Sequence, residues 1–379
     1  MSDSAVARPS ILFVWGQFGP YHQDRCQAAA ALPNHTVLGI EIANNSSHHY
    51  AWASTEASGF TKITLFPGKT YEQAGRPNRL LALVRESVRA GARYNFLCHY
   101  DQPEIFILAV VLRLLRRRVF IMWESKFDDR PRSLWREFLK WFFLRPYHGV
   151  LNSGIRSRAY LAFLGIADRP IANGYDSVSI ERMRALAESP AAPEGMSFGQ
   201  REFLVIARLV AKKNLSLVIA AYDLYRRNKP ENARNLVFLG TGPLEEALKA
   251  EVSVRGLEGV SFAGFVQTKG VAHYLSHALA LVLPSIEEQW GLVVNEALAL
   301  GVPVLCSENV GARDDLVRDC ENGYVFTEYN PEHLAELMGL LASDETRWRA
   351  MAIASSRRAD LGDTAHFAEG VRALIATAP

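Results

Sequence analysis

Two consecutive α/β domains, each built on a doubly wound parallel sheet, are what this sequence predicts, and three observations predict them. Short apolar runs closed by glycine or a polar residue alternate with segments of helical composition, the pattern of a parallel sheet covered on both faces. That alternation pauses once, over 185–200, where "ALAESPAAPEGMSFGQ" carries two prolines and two glycines but few large apolar residues. The length of 379 residues is more than a single core fills. In such sheets ligands bind beyond the carboxyl ends of the strands. The expected architecture is therefore two Rossmann-like domains facing across a cleft, with the site in the cleft.

The first half opens with "SILFVWG", a continuous apolar run ended by Gly16 that reads as a buried strand. "YHQDRCQAAAAL" has helical composition and "HTVLGIEI" reads as a second strand. A helix near 77–91, "NFLCHY" as a strand, a helix over 103–116 and "VFIMW" as a strand continue the alternation. After the pause come "EFLVIARL" as strand, "LSLVIAAYDLYRRN" as helix, "NLVFLG" as strand and "PLEEALKAEVSVRG" as helix. "VSFAGF", "KGVAHYLSHA" and "LALVLPS" repeat strand, helix, strand; then "LVVNEALAL" is a helix stopped by Gly301, followed by the strands "VPVLCS" and, after an Asn322-Gly323 turn, "GYVF". These assignments place an N-terminal domain at 1–185, a linker at 186–200 and a C-terminal domain at 201–350. A helical segment at 351–379 is expected to return to the first domain.

Composition narrows the class. With 49% hydrophobic and 22% charged residues and a net charge of +2, the chain is ordinarily globular and gives no argument for nucleic acid. Cys26, Cys98, Cys306 and Cys320 are scattered with no C-x-x-C pair, which disfavours a zinc site and suits reduced thiols in a cytoplasmic protein. The apolar run near the start is too brief for a signal peptide. The longest apolar run, "IFILAVVL" at 105–112, is far below the roughly 18–20 residues that span a bilayer.

Three motifs could carry chemistry. In "LPSIEEQWGLVVNEALALGVPVL" Glu288 lies in the loop after a buried strand, and Glu296 falls in the first or second turn of the following helix. The amides of Gly291, Leu292 and Val293 lie between them at the helix start, where unpaired N–H groups and the dipole suit a phosphate. A carboxylate slightly further on can accept from ribose hydroxyls, leaving the loop acid to meet a second group such as a sugar. Taken alone, the same residues also fit a dipole-favoured helix acid and a solvated loop acid. In "ARLVAKKN", Arg208 follows a strand and Lys213 comes five residues later; two cations there can neutralise a diphosphate leaving group. "LGTGPLEE" is half of a dinucleotide fingerprint with Glu245 where the third glycine belongs, so tight turning explains it and a nicotinamide dehydrogenase is disfavoured. Gly16 and Gly19, in the first strand-to-helix loop, can let backbone approach a ligand as cleft lining, and Gly16 is expected among the donor-binding residues.

Together "VIARLVAKKN", "LVFLGTGPLEE", "VSFAGFV", "LPSIEEQWGLVVNEALALGVPVLCS" and "ENGYVF" resemble the family 4 glycosyltransferases, which have the two-domain GT-B fold. The similarity covers most of 201–326 in order and spacing; the first half resembles them more loosely. Carried over by position, it implies that Glu288 contacts the donor sugar and Glu296 the ribose, with Arg208 and Lys213 on the diphosphate. It also implies transfer of a hexose from a nucleoside diphosphate sugar with retained configuration, no cofactor beyond that co-substrate and no catalytic metal. The chain has no D-x-D for a divalent ion.

Departures from the pattern matter. Many relatives carry a histidine after an N-terminal-domain strand; "VFIMWESK" puts Glu124 about there, as a candidate catalytic group. The usual glycine after the lysine is Asn214, and a common Gly-Gly pair is Gly311-Ala312. Expected settings are bacterial polysaccharide or glycolipid assembly, with a glycan or lipid-linked acceptor. A sugar-nucleotide epimerase or hydrolase on the same fold, and a catalytically silent nucleotide-sugar-binding subunit, stay open.

Residues 113–145 contain ten Lys/Arg against four acids. Within them "RSLWREFLKWFFLRPY" sets Leu134, Trp135, Phe138, Leu139, Phe142 and Phe143 on one helical stripe, with Arg132, Arg136 and Lys140 opposite. Such a helix suits an anionic membrane surface and a peripheral location at its inner face. It equally suits a stripe packed on the sheet with solvated charges behind it.

Overall fold

The computed structural model describes residues 9–45, 58–129, 132–228 and 233–377. They form two units. The first runs to Ser177, with Asp128 and Asp129 excepted, and resumes at Thr364; the second covers Val178–Asp363.

The first unit contains β1 (Ile11–Trp15), α1 (Pro20–Ala30), β2 (Val37–Asn45), β3 (Thr61–Thr70), α2 (Arg76–Ala90), β4 (Tyr94–Leu97) and α3 (Pro103–Leu114). It continues through β5 (Arg118–Trp123), α4 (Leu134–Leu144), β6 (Gly149–Asn152), α5 (Ile155–Phe163) and β7 (Ile171–Asn173). The second unit holds α6 (Ile180–Ala187), β8 (Glu202–Ile206), α7 (Leu215–Asn228), β9 (Leu236–Leu239), α8 (Glu245–Val254), β10 (Val260–Gly264) and α9 (Thr268–Ser276). After these come β11 (Ala278–Leu283), α10 (Leu292–Ala299), β12 (Val304–Ser307), α11 (Arg313–Leu316), β13 (Gly323–Phe326), α12 (Pro331–Ser343) and α13 (Glu345–Arg358). The last helix, α14 (Thr364–Ala376), belongs to the first unit.

Both sheets are parallel. Their strand orders are β3-β2-β1-β4-β5-β6-β7 and β10-β9-β8-β11-β12-β13. The order reverses between β1 and β4 in one sheet and between β8 and β11 in the other, and those reversals are where loops splay apart to admit a ligand. Central strands are buried on both faces, as continuous apolar runs require: every residue of β1 and of β11 is buried. Edge strand β10 alternates between half-buried and exposed residues.

The linker expected over 186–200 is part of the second unit. Arg184 Nε donates to Ala299 O at 2.9 Å, and the Ala192 amide donates to Leu300 O at 2.8 Å. Ala192 is buried in that unit's core, so the prolines there shape a packed segment, and the change of unit falls at Ser177/Val178. The return also comes later than residue 351. Trp348 in α13 lies in the second unit's core and donates to Leu279 O at 2.9 Å. From Thr364 onward Phe367, Val371 and Leu374 pack with Phe13, Phe120 and Leu151.

The sequence pattern missed three strands. β3 contains Pro67 and Gly68 and sits half-exposed at an edge, while β6 and β7 have only four and three residues.

The stripe on α4 also departs from the sheet-packed expectation. Leu134, Trp135, Phe138 and Phe142 are 85%, 67%, 54% and 50% exposed. The inward face centres on Glu137 and Leu144, with Arg132, Lys140 and Phe143 half-buried beside them and Arg136 exposed. Glu137 is buried, accepting from the Tyr160 hydroxyl and pairing with Lys140 at 3.2 Å and Arg132 at 3.6 Å. Burial works against that carboxylate, yet the Tyr160 hydrogen bond and the two cations hold it below the usual range. Arg130, counted in the basic excess, lies outside the described residues.

Candidate functional site

In the second unit the loops after β8 and β11 meet at the sheet's reversal. Arg208 stands two residues beyond β8. Its loop is pinned from the neighbouring strand: the Ala207 and Leu209 amides donate to Leu239 O and Thr241 O, both at 3.0 Å. Gly240 allows this approach. Its φ is 131°, and a Cβ there would stand 1.9 Å from Ala207 O. The half-fingerprint "LGTG" thus serves the seating of Arg208's loop, a role beyond turning.

Lys213 closes a 3-10 turn, Ala211–Lys213. Asn214 follows in the left-handed region at φ 52° and donates from Nδ2 to Glu328 O at 2.8 Å. Asparagine tolerates that region better than most residues, so the departure from glycine keeps the backbone path and adds a tether. The Ile286 amide donates to Lys212 O at 2.9 Å, which ties this turn to the loop after β11.

Glu288 lies at the centre of that loop. Its Oε2 pairs with Lys213 Nζ and accepts from Ser285 Oγ, the latter at 2.9 Å. Its backbone bridges Val310, and the Gly311 amide donates to Glu288 O at 3.1 Å. A Cβ on Gly311 would fall 1.8 Å from Gln289 O, so that position needs glycine. Ala312, the departure from a glycine pair, is fully buried and donates its amide to Trp290 O at 2.9 Å.

Gly291 caps α10 at φ 100°, and a Cβ on it would sit 3.3 Å from Glu288 Cγ. The helix start at Gly291, Leu292 and Val293 is therefore adjacent to the Lys213–Glu288 pair. The first turn of a helix leaves its N–H groups without intrahelical partners. Glu296 follows about 7.5 Å along the axis, in the second turn, and is 3% exposed. Trp290 Nε1 bonds Asn295 Oδ1 at 2.9 Å, and Asn295 Nδ2 bonds Gly362 O at 3.1 Å, which fixes the helix start from behind. The structure thus brings Lys213, Glu288 and the α10 start into contact. Arg208 stands at the end of the adjoining strand, and Glu296 lies deeper on the helix.

The first unit repeats this geometry with other groups. Gly16 directly follows β1, and a Cβ there would lie 3.2 Å from His99 Nε2. His99 follows β4, the strand across the reversal, and the sequence reading had not singled it out. The available signal was its place, two residues past the end of a buried strand. Glu124 directly follows β5, the next strand. The His99 imidazole, exposed to solvent, is pushed up to about 9, first by its interaction with Cys98 and then by the Asp101 and Glu124 carboxyls. The loop after Gly16 is anchored by the buried Glu41, which accepts from the Phe18 amide and from Thr64 Oγ1, each at 2.7 Å. His22 accepts the Gly19 amide on Nδ1 at 2.8 Å. Burial, then Arg25 and His99, keep it well below the usual histidine range, hence neutral.

Among the described residues, no group of three or more His, Cys, Asp or Glu is placed to hold a metal ion. No helix among them is long and apolar enough to cross a membrane.

Two parallel sheets with 3-2-1-4-5-6 order at their centres, each with charged loops at its reversal, define the class: this is a GT-B protein. The solved sucrose-phosphate synthase of Thermosynechococcus elongatus matches 97% of this chain and 98% of its own with a TM-score of 0.72 at 17% identity. Anabaena HepE, solved in complex with UDP and glucose, matches 97% of this chain and 100% of its own, with a TM-score of 0.72 at 15% identity. Residues 192–359 match the family "Glycosyl transferases group 1". The amylovoran biosynthesis glycosyltransferase AmsK of Erwinia amylovora is 27% identical over 172 residues, which are 44% of this chain and 42% of AmsK. The chain spans less than half the length of the curated relatives it matches.

Proposed function

We propose that this protein is a retaining, metal-independent glycosyltransferase. It moves a hexose from a nucleoside diphosphate sugar to a hydroxyl of a glycan or lipid-linked acceptor in bacterial polysaccharide or glycolipid assembly. The observation that carries the reading is the contact between the Lys213–Glu288 pair and the amino end of α10, at the reversal of the second sheet. Structural neighbours solved with UDP and glucose support a nucleotide-sugar donor.

In this reading the diphosphate lies against Lys213, Arg208 and the amides of Gly291, Leu292 and Val293. Glu296 accepts from the ribose and Glu288 from the sugar. The acceptor oxygen bonds to the anomeric carbon as the bond from that carbon to the diphosphate breaks. The electron pair leaves with the diphosphate, whose growing charge the two cations and the helix start stabilise. Gly16, His99 and Glu124 are assigned to the acceptor side, where the protonated His99 imidazole can donate to a hydroxyl oxygen and the Glu124 carboxylate can take up the acceptor proton.

The inverted helix α4 supports a peripheral location at the inner face of the cytoplasmic membrane. Its aromatics face outward while the 113–145 segment carries a basic excess, a combination that an anionic lipid surface complements. The test is a thermal-shift screen of nucleoside diphosphate sugars, followed by product analysis with and without acceptors. Donor-specific stabilisation, acceptor-dependent transfer and loss of transfer in Glu296→Ala are expected. Conversion of donor at the same rate without any acceptor would replace transfer by epimerase or hydrolase chemistry. Full transfer by both Glu296→Ala and Lys213→Ala would refute the site.

A further inference from the structure

The opposite, amino end of the first unit's sheet holds a second charged feature. A cavity of about 510 Å3 is lined by Arg93, Arg113, Arg116, Arg117, Arg118 and His148. Arg93 precedes β4, Arg116 to Arg118 lead into β5, and His148 precedes β6, whereas Gly16, His99 and Glu124 follow the carboxyl ends of their strands. The two sites are therefore at opposite ends of one sheet.

We propose that this cavity binds a phosphate-bearing dianion or diphosphate, as a lipid headgroup or a soluble ligand. No carboxylate lines it. Five guanidinium groups around one cavity repel one another, and an anion there would relieve that repulsion. Guanidinium forks match phosphate oxygens pairwise, and five of them exceed what a single carboxylate could occupy. The positive field already acts on its neighbours. Burial first, then Arg113 and Arg118, lower His148 to about 4. Its Nδ1 accepts the Val119 amide at 3.1 Å, so the neutral ring carries its proton on Nε2, as one more donor for an oxyanion. Arg116 sits at φ 58°, in the left-handed region where glycine or asparagine is the ordinary choice. No packing contact calls for arginine there, since the side chain is exposed apart from the cavity it lines.

The reading does not depend on the donor site; Arg113, Arg116, Arg117 and Arg118 also belong to the basic excess of 113–145, so competition by pyrophosphate separates the cavity from the α4 face. Inorganic pyrophosphate is titrated by calorimetry into the Lys213→Ala protein, whose donor loop is disabled, and into the same protein carrying Arg116→Gln and Arg117→Gln. The expected result is binding in the first and a loss of at least about tenfold in the second, the scale of losing charge-assisted phosphate contacts. In the Lys213 background, stabilisation by uridine diphosphate no longer serves as a folding control. The arginine pair is therefore also changed in the wild-type protein, where that stabilisation must persist; Arg93→Gln, across the cavity, gives an independent reading. Co-sedimentation with phosphatidylcholine vesicles, with and without phosphatidic acid, distinguishes the source. Arginine-dependent pelleting that pyrophosphate competes away assigns a lipid headgroup, and pyrophosphate binding without such pelleting assigns a soluble ligand. If the arginine variants bind pyrophosphate and vesicles as the parent does, the proposal is overturned.

Discussion

The ion pair between Lys213 and Glu288 makes a prediction whose sign depends on what the pair is for. Side-chain exposure is 12% for the lysine and 16% for the glutamate, so the pair is largely shielded without being a core pair. Lys213→Ala leaves Glu288 with Ser285 Oγ, at 2.9 Å, as a remaining donor. Exposed pairs contribute up to about 1 kcal/mol and breaking a buried pair costs about 3–5, so a loss of about 1–2 kcal/mol is expected here. For a bound diphosphate, Lys213→Ala removes a charge-assisted hydrogen bond of about 1.5–3 kcal/mol, or roughly 10- to 100-fold in affinity. Glu288→Ala should act oppositely on binding. It releases Lys213 from its carboxylate, so uridine diphosphate binds as tightly as before or tighter, while transfer falls about 100-fold with the sugar contact gone. Isothermal titration with uridine diphosphate on both single variants and the double variant closes a cycle, and initial rates supply the second axis. If Glu288→Ala weakens binding as much as Lys213→Ala does, the pair is a structural clasp of two loops, and the division of labour argued above is wrong.

Other expectations follow from single features. Gly240→Ala places a methyl 1.9 Å from Ala207 O at a φ of 131°, so it should destabilise by more than about 2 kcal/mol and abolish donor binding by displacing Arg208. A normal chemical-denaturation midpoint would contradict that. Asn214→Gly keeps the left-handed backbone and loses the bond to Glu328 O, so a cost of about 0.5–1.5 kcal/mol with donor affinity retained is expected by denaturation and titration. His99, raised from 6.5 to about 9, contributes stability that is complete below pH 6.5 and disappears as pH rises through about 9. The ring is exposed and its main partner is Cys98, so solvent screening keeps that contribution small; His99→Asn should flatten the urea midpoint across this window, and an unchanged slope would exclude His99 as its source. Trp135→Ser with Phe138→Ser should leave the thermal midpoint nearly unchanged, because both side chains are exposed, and should weaken co-sedimentation with anionic vesicles. A drop in the midpoint would mean the stripe is covered in solution.

Legibility in the sequence tracked burial. Strands β1 and β11 were readable because a strand buried on both faces shows as an unbroken apolar run, and the helices between them inherit their places from that alternation. Strand β3 was not, since an edge strand with Pro67 and Gly68 has neither a run nor a period. The pause at 185–200 misled for a related reason. Proline and glycine mark a change of backbone direction, but Ala192 shows that such a segment can lie packed along one core. On α4 the hydrophobic stripe was correctly located and its direction was undetermined. Periodicity fixes which residues share a face, and it took the buried Glu137, bonded to Tyr160, Lys140 and Arg132, to show that the stripe is turned outward.

The candidate site divides along the same line. Glu288, Lys213 and the α10 start were legible because they are close to a strand end in sequence and the strand end is visible. Their contact was not, since it depends on β8 and β11 being neighbours, a fact of strand order. His99 shows the cost of lacking that order. The resemblance puts Glu124, one strand further out, about where many relatives carry a histidine, and nothing local ranks β4 above β5. Once β1 and β4 are known to adjoin at the reversal, the residue facing Gly16 must come from the loop after β4, and His99 is the group whose Nε2 lies 3.2 Å from where a Gly16 Cβ would stand. Glu124 then reads as the carboxyl that helps keep His99 charged, which makes its own substitution informative. Glu124→Gln should lower the pKa of His99, observed by NMR titration, with its effect on transfer following that shift. If transfer collapses while the His99 titration stays in place, Glu124 touches the substrate itself.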